Sequence, residues 1–129
     1  MIIDSFTHIY PKNYLKNLVK IHPLFSIADS VDELGKKYLF NIKSGKKTTY
    51  FIENSRFDEP KKRIQHMDKY GIDKQVITLA FPASDPVSPD VKPEISLKIA
   101  KSGNDEIKQI VDSYPDRFIG IGEVAILSE

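Results

Sequence analysis

Three short apolar segments, separated by stretches of helical periodicity, are the feature that most constrains how this chain of 129 residues can fold. The segments cover residues 2–9, 75–81 and 118–127, and we interpret each as a strand that is buried on both faces. Strands of this kind are typical of parallel sheets, because helices cover both faces of such sheets. The order strand, helix, strand, helix, strand therefore predicts an α/β protein with parallel strands and right-handed crossovers.

One helix is predicted before the second strand and another before the third. The first begins near Pro60, which suits an opening helical turn, and ends at Gly71. The second carries apolar residues at i, i+3, i+4 and i+7, and Pro115 ends it. These apolar residues are Ile107, Ile110, Val111 and Tyr114.

Residues 20–58 do not fit this alternation of strands and helices. Within them, residues 37–53 are typical of two strands around a turn at 43–46, which predicts a β-hairpin. We interpret the stretch, together with a short helix predicted at 14–19, as an insertion after the first strand. Loops of this length are usually functional or form binding surfaces. A proline-rich segment, 82–93, predicts a stiff loop that leaves the second strand.

The composition predicts one ordinary globular domain over residues 1–129 and excludes several kinds of site. The 19 Lys and Arg against 18 Asp and Glu leave a net charge of +1, so no electrostatic argument favours nucleic acid or an acidic membrane as a partner. The lack of cysteine excludes disulfides and thiolate sites. Because the sequence has no leader segment and no run of about 18 apolar residues, we expect a cytoplasmic protein that does not span a membrane.

Polar side chains follow each of the three predicted strands. In such folds the carboxyl ends of parallel strands form one mouth, where sites are built. The candidates for substrate binding there are Tyr10, Ser84 and Asp85, and the candidates for metal binding are His8 and Glu123. For His8 the alternative is a histidine that only forms hydrogen bonds with its neighbours. No catalytic residue is assigned.

Strict alternation along the first strand points Asp4, Phe6 and His8 to one side of the sheet. Asp4 could then orient a metal ligand. The alternative is that its carboxylate accepts hydrogen bonds from backbone groups at the strand end. A histidine at position 6 would complete a two-ligand arm for zinc, but phenylalanine has no lone pair to offer.

Three stretches, MIIDSFTHIYPKNYL, RIQHMDKYGIDKQVI and NDEIKQIVDSYPDRFIGIGEVAI, resemble in this order the first part of an amidohydrolase-superfamily barrel. They are similar to the amidohydrolase-2 branch, which contains aminocarboxymuconate semialdehyde decarboxylase and related metal-dependent decarboxylases and hydrolases. The resemblance implies a (β/α)8 barrel that holds a divalent metal, commonly zinc, at its carboxyl-terminal mouth. Two ligands come from an Asp-x-His-x-His motif on the first strand, which Asp4 and His8 match and from which Phe6 departs.

A complete barrel needs about 250 residues, so the resemblance implies a partial barrel made of the first three βα strands. We expect a metal-dependent hydrolase or decarboxylase for small carboxylated or cyclic substrates, present as a fragment or degenerate copy that is inactive alone. The alternative is a non-catalytic half-barrel that binds or assembles, because three parallel strands leave unpaired edges and an uncovered apolar interior. In either case we expect a homo-oligomer or a partner chain that completes the barrel.

Overall fold

The computed structural model describes residues 1–21, 25–27, 37–43, 46–52, 59–80 and 92–124, which form two three-stranded sheets and three helices. The strands are β1 (Ile3–Ile9), β2 (Phe25–Ile27), β3 (Lys37–Lys43), β4 (Lys46–Ile52), β5 (Lys74–Leu79) and β6 (Phe118–Gly120). The helices are α1 (Lys12–Ile21), α2 (Pro60–Tyr70) and α3 (Pro93–Ser113). One sheet is parallel with the order β1-β5-β6, and the other is antiparallel with the order β2-β3-β4. The predicted α/β class is therefore confirmed.

The ends of the helices follow the residues that predicted them. Pro60 lies in the first turn of α2, where the missing N–H needs no partner. Gly71 ends the helix in the left-handed conformation with φ of 67°, which favours glycine, and its N–H donates to the Asp68 carbonyl at 3.3 Å. α3 is one continuous helix of 21 residues and ends one residue before Tyr114, whose N–H still donates to Ile110 and Val111.

The inserted segment forms the antiparallel sheet. β3 and β4 pair from Lys37 opposite Ile52 to Lys43 opposite Lys46, so the hairpin and the position of its turn are confirmed. β2 adds a third strand on the other side of β3, which the sequence did not predict. A strand of three residues is too short to establish a period-2 pattern, and its flanking residues 22–24 and 28–36 lie outside the described residues.

Two other predicted segments differ from the structure or lie outside it. The third strand was predicted to run to residue 127, but β6 ends at Gly120, and residues 125–127 lie outside the described residues. Beyond it the backbone of Glu123 is paired by the side-chain amide of Asn104 and not by a neighbouring strand. The proline-rich loop was predicted for residues 82–93; residues 82–91 lie outside the described residues, and Pro93 belongs not to the loop but to the first turn of α3.

The core lies between the parallel sheet and the helices. Its fully buried side chains come from β1, β5, β6, α1, α2 and α3, and the largest are Tyr14, Phe118, Ile9, Leu18, Met67, Ile77 and Ile99. Gly103 allows α3 to approach the sheet closely, because a Cβ there would overlap the Leu79 side chain and lie 3.2 Å from Cδ2 of Tyr14. This glycine therefore seats α3 against both β5 and α1.

Arg117 fixes the opposite end of the sheet. Its guanidinium donates to the carbonyl oxygens of Ile72 at 3.2 Å and Asp73 at 3.0 Å, and it forms an ion pair with Asp68 at 2.7 Å. These contacts join the turn before β6 to the turn before β5. Among the described helices, none is long and apolar enough to cross a lipid bilayer.

Candidate functional site at the strand ends

The parallel sheet has one face against the helices and one face away from them. Ile9 lies beside Leu79 and both are buried among the helices, whereas His8 lies beside Thr78 on the other side of the sheet. We call the first side the helix face and the second the open face. The open face carries Phe6, His8, Val76, Thr78 and Ile119.

A β-bulge in β1 decides which residues reach each face. Asp4 pairs with Gln75 and Thr7 pairs with Ile77, so three steps along β1 match only two steps along β5. The extra residue reverses the alternation of side chains along the strand. Asp4 therefore lies on the helix face beside Gln75, while His8 lies on the open face. The prediction that Asp4 and His8 point to one side is wrong, because it assumed a strand without a bulge.

Asp4 belongs to a polar network on the helix face. Nε2 of Gln75 donates to Oδ2 of Asp4 at 3.0 Å, and Nη1 of Arg63 donates to Oε1 of Gln75 at 3.2 Å. Nη2 of Arg63 donates to the backbone carbonyl of His8 at 2.6 Å. The Arg63 side chain is only 8% exposed, and burial lowers its pKa while the Asp4 carboxylate acts to raise it. The carboxylate of Asp4 is thus engaged in joining β1, β5 and α2.

His8 presents one nitrogen to the open face. Its Nδ1 lies 3.3 Å from the carbonyl oxygen of Leu79. Because a carbonyl oxygen can only accept, Nδ1 carries the proton in this contact and the lone pair of the neutral ring is on Nε2. The edge of the Phe6 ring stands against the imidazole, with ring centroids 5.0 Å apart and an angle of 78° between the ring planes. A backbone carbonyl on the second ring nitrogen is also the arrangement that orients many metal-ligating histidines.

The described residues do not fit the divalent-metal site that the resemblance implies. Among them, no group of three or more His, Cys, Asp or Glu side chains is placed to hold an ion. A catalytic zinc ordinarily takes about three protein ligands. At the end of β1 only His8 offers a suitable atom, and Phe6 stands where the motif has its other histidine.

Glu123 is held at the end of the sheet by its backbone. Its N–H donates to Oδ1 of Asn104 at 2.7 Å, and Nδ2 of Asn104 donates to its carbonyl oxygen at 2.8 Å. Burial raises the pKa of Tyr14, and the nearby Glu123 carboxylate and Tyr10 hydroxyl raise it further. β5 lies between β1 and β6, so the strand that carries His8 and the strand that precedes Glu123 are about 10 Å apart.

The predicted mouth is therefore only partly assembled by the described residues. His8 lies at the carboxyl end of β1, and Tyr10 and Glu123 follow the ends of β1 and β6 as expected, but the Tyr10 ring is buried in the core. Ser84 and Asp85 lie outside the described residues. The roles of all five residues in binding metal or substrate stay predictions.

Arg63 is the residue of this region that sequence reasoning missed. It precedes Met67 by four positions, so the two side chains share one face of α2, and both are buried. A charged residue in register with the apolar face of a helix is a signal for a buried polar partner.

A groove of about 290 Å³ runs along the outer edge of the parallel sheet. It is lined by the α3 side chains of Ile107 and Val111 and by Gly120 and Gly122. A Cβ at Gly120 would come within 2.6 Å of Cγ2 of Ile107, so glycine here keeps β6 close to α3.

One curated protein is similar to this chain in sequence. The chain is 33% identical over 125 residues to the 2-amino-3-carboxymuconate-6-semialdehyde decarboxylase of Dictyostelium discoideum, a match that covers 95% of this chain and 32% of that protein. No family model matches the chain. It spans about a third of the length of this curated relative.

Solved structures show the same fold. The IDCase of Metarhizium anisopliae, in its apo form, superposes with a TM-score of 0.71 at 24% identity, over 95% of this chain and 34% of that one. A 5-carboxyvanillate decarboxylase from Novosphingobium aromaticivorans, complexed with manganese and 4-hydroxy-3-methoxy-5-nitrobenzoic acid, gives a TM-score of 0.60 at 23% identity, over 97% and 34%. The predicted resemblance to this kind of amidohydrolase and the partial (β/α)8 barrel are confirmed.

Proposed function

We propose that this chain, which resembles part of an amidohydrolase-type decarboxylase, forms the opening βα units of a barrel that acts on small carboxylated substrates. We further propose that it does not decarboxylate them alone. The observation that carries the proposal is the match of 95% of this chain to only 32% of a decarboxylase. An active centre of this kind needs groups from strands beyond β6, and we infer that further chain or a partner supplies them.

The position of His8 supports this proposal. In a closed barrel the open face of the sheet becomes the interior, so Nε2 of His8 would face the space that receives a substrate. The neutral ring can accept a proton at Nε2, and the protonated ring can donate one to a substrate carboxylate. The contact of Nδ1 with the Leu79 carbonyl orients the ring, and the hydrogen bond from Arg63 to the His8 carbonyl holds the backbone that carries it.

No step through a metal is proposed, because the described residues do not fit one. A relative of similar fold is complexed with manganese, which favours a divalent metal in the complete barrel. Zinc as that metal and a cytoplasmic location stay predictions.

A second candidate function is an assembly module without catalysis. The specific observation that favours it is the exposure of large apolar side chains on and beside the open face. Phe6 is 82% exposed, Ile119 41% and Ile121 52%. Apolar side chains that lie together are usually covered by a partner. Under this candidate a second copy or a partner chain covers the open face.

The test is an assay of carbon dioxide release from small aromatic carboxylates by the purified chain, with and without added manganese or zinc. We expect no release above the uncatalysed rate. Activity that His8→Ala abolishes and His66→Ala retains would overturn the proposed inactivity. His66 is the matched control, because it is an exposed histidine of α2 whose ring packs against that of Tyr70, with ring centroids 4.6 Å apart.

The mass of the particle in solution tests the second candidate. Light scattering across a dilution series should detect a dimer or larger assembly that dissociates on dilution. A chain that stays monomeric throughout the series contradicts the assembly candidate. The same result leaves the assay of carbon dioxide release to decide the first proposal.

A further inference from the structure

The end of β1 places two rings side by side, as a pair of metal-ligating histidines would be, but only one of the two rings has a nitrogen that can bind a metal ion. Phe6 and His8 are two residues apart on the open face, and their ring centroids are 5.0 Å apart. Asp4, the other side chain of the motif, is turned to the helix face by the bulge and accepts from Gln75 at 3.0 Å. Of the three side chains, only His8 directs a donor atom to the open face.

We propose that β1 is a metal-binding arm reduced to one ligand, in which Nε2 of His8 alone can coordinate and Phe6 occupies the place of the second nitrogen. This inference goes beyond the proposed function, because it concerns the affinity of the strand end for a cation and not turnover. It implies that the chain as it stands does not hold zinc or cobalt at this site. It also implies that the backbone is still arranged to hold the ion if one side chain is changed.

The difference between one ligand and two decides the affinity. A second ligand on the same rigid strand binds an ion that the first already holds, and such linkage raises affinity by about a hundredfold or more. The Nδ1 contact with Leu79 fixes the ring of His8 in advance, so little orientation is lost when an ion binds. The low affinity for a metal ion that we expect of the unchanged chain is therefore due to the phenylalanine at position 6.

The spacing of the two rings suits a shared ion. Two imidazole nitrogens that each lie about 2.1 Å from a tetrahedral zinc are about 3.4 Å from one another. The Phe6 and His8 ring centroids are 5.0 Å apart, so a histidine placed at position 6 can bring one of its nitrogens to that separation from Nε2 of His8 by rotation about its own side-chain bonds. Phe6 is 82% exposed, so its replacement removes little packing from the chain.

The experiment is a titration of the full chain with zinc, in competition with a chromophoric chelator, and with cobalt, followed by its visible absorption. The proteins are the unchanged chain, Phe6→His, Phe6→Glu, and Phe6→His combined with either His8→Ala or His66→Ala. We expect no stoichiometric ion on the unchanged chain. Phe6→His should bind one ion about a hundredfold more tightly, and Phe6→Glu should also gain affinity.

The combined variants locate the gain. His8→Ala should abolish it and His66→Ala should retain it, because His66 is exposed on α2 and its ring packs against Tyr70. Tight binding of one ion to the unchanged chain, lost in His8→Ala, would overturn the proposal. So would the absence of any gain in both Phe6→His and Phe6→Glu when circular dichroism shows either variant folded. Neither result depends on decarboxylation, so the proposed function stands or fails separately.

Discussion

The two faces of the parallel sheet share one set of backbone hydrogen bonds but differ in what their side chains contact. On the helix face Ile77 is fully buried, and the Gln75 carboxamide and both Nη atoms of Arg63 form hydrogen bonds. On the open face Phe6 is 82% exposed and Ile119 41% exposed. The comparison separates the part of the molecule that holds the fold together from the part that is able to meet a substrate, an ion or another chain.

A single extra residue in β1 places Asp4 and His8 on opposite faces of the sheet. Without the bulge, Asp4 and His8 would lie together, as strict alternation requires. With it, the carboxylate joins a network on the helix face and the imidazole remains on the open face. Bulges are common beside active sites because they redirect one side chain without ending the strand.

The largest expected effect is the difference in the free energy of unfolding between two Ile→Ala substitutions, one on each face of the sheet. Ile77→Ala on the helix face should lower the free energy of unfolding by about 3 to 4 kcal/mol, because it leaves a cavity in the core. Ile119→Ala on the open face should lower it by less than about 1 kcal/mol. Urea unfolding of both variants measures the difference. Equal losses would mean that the open face is covered in solution.

The next effect tests the polar network of the helix face. Arg63→Met should cost about 3 kcal/mol, because the carboxamide of Gln75 and the carbonyl of His8 lose a buried charged donor. The control is Lys62→Met on the exposed side of α2, where the ion pair with Glu59 at 3.0 Å is worth less than about 1 kcal/mol. The measurement is the urea midpoint of each variant. A loss for Arg63→Met no greater than for Lys62→Met would contradict the network.

The helix face was largely predictable from the sequence and the open face was not. Three features of this face can be recognised from neighbouring residues in the sequence alone. They are the apolar periodicity of α3, the proline and glycine at the two ends of α2, and the apolar run of β5. The bulge depends on the register between β1 and β5, strands about seventy residues apart in the sequence, so no local pattern reports it. The partners of Arg63 were missed for the same reason, since two of them lie on those strands.

A smaller effect is expected where the sheet ends. Asn104→Ala removes two hydrogen bonds to the backbone of Glu123 and should cost about 1 to 2 kcal/mol. Asp105→Ala, one position further along α3 and exposed, controls for the change in helix propensity. Hydrogen exchange at the Glu123 amide should accelerate in the first variant alone. Unchanged exchange there would show that another contact holds this segment.

The smallest expected effect on the isolated chain is at Phe6, and it is also the most informative about the open face. Phe6→Ser should change the free energy of unfolding of the monomer by no more than about 0.5 kcal/mol, because the ring is exposed. If a second copy covers the open face, the same substitution should weaken association, so its cost in thermal stability should grow with protein concentration. Phe6→Tyr, which keeps the ring, should show no such dependence. A cost for Phe6→Ser that is the same at every concentration would mean that the chain itself, and not a partner, packs on this ring.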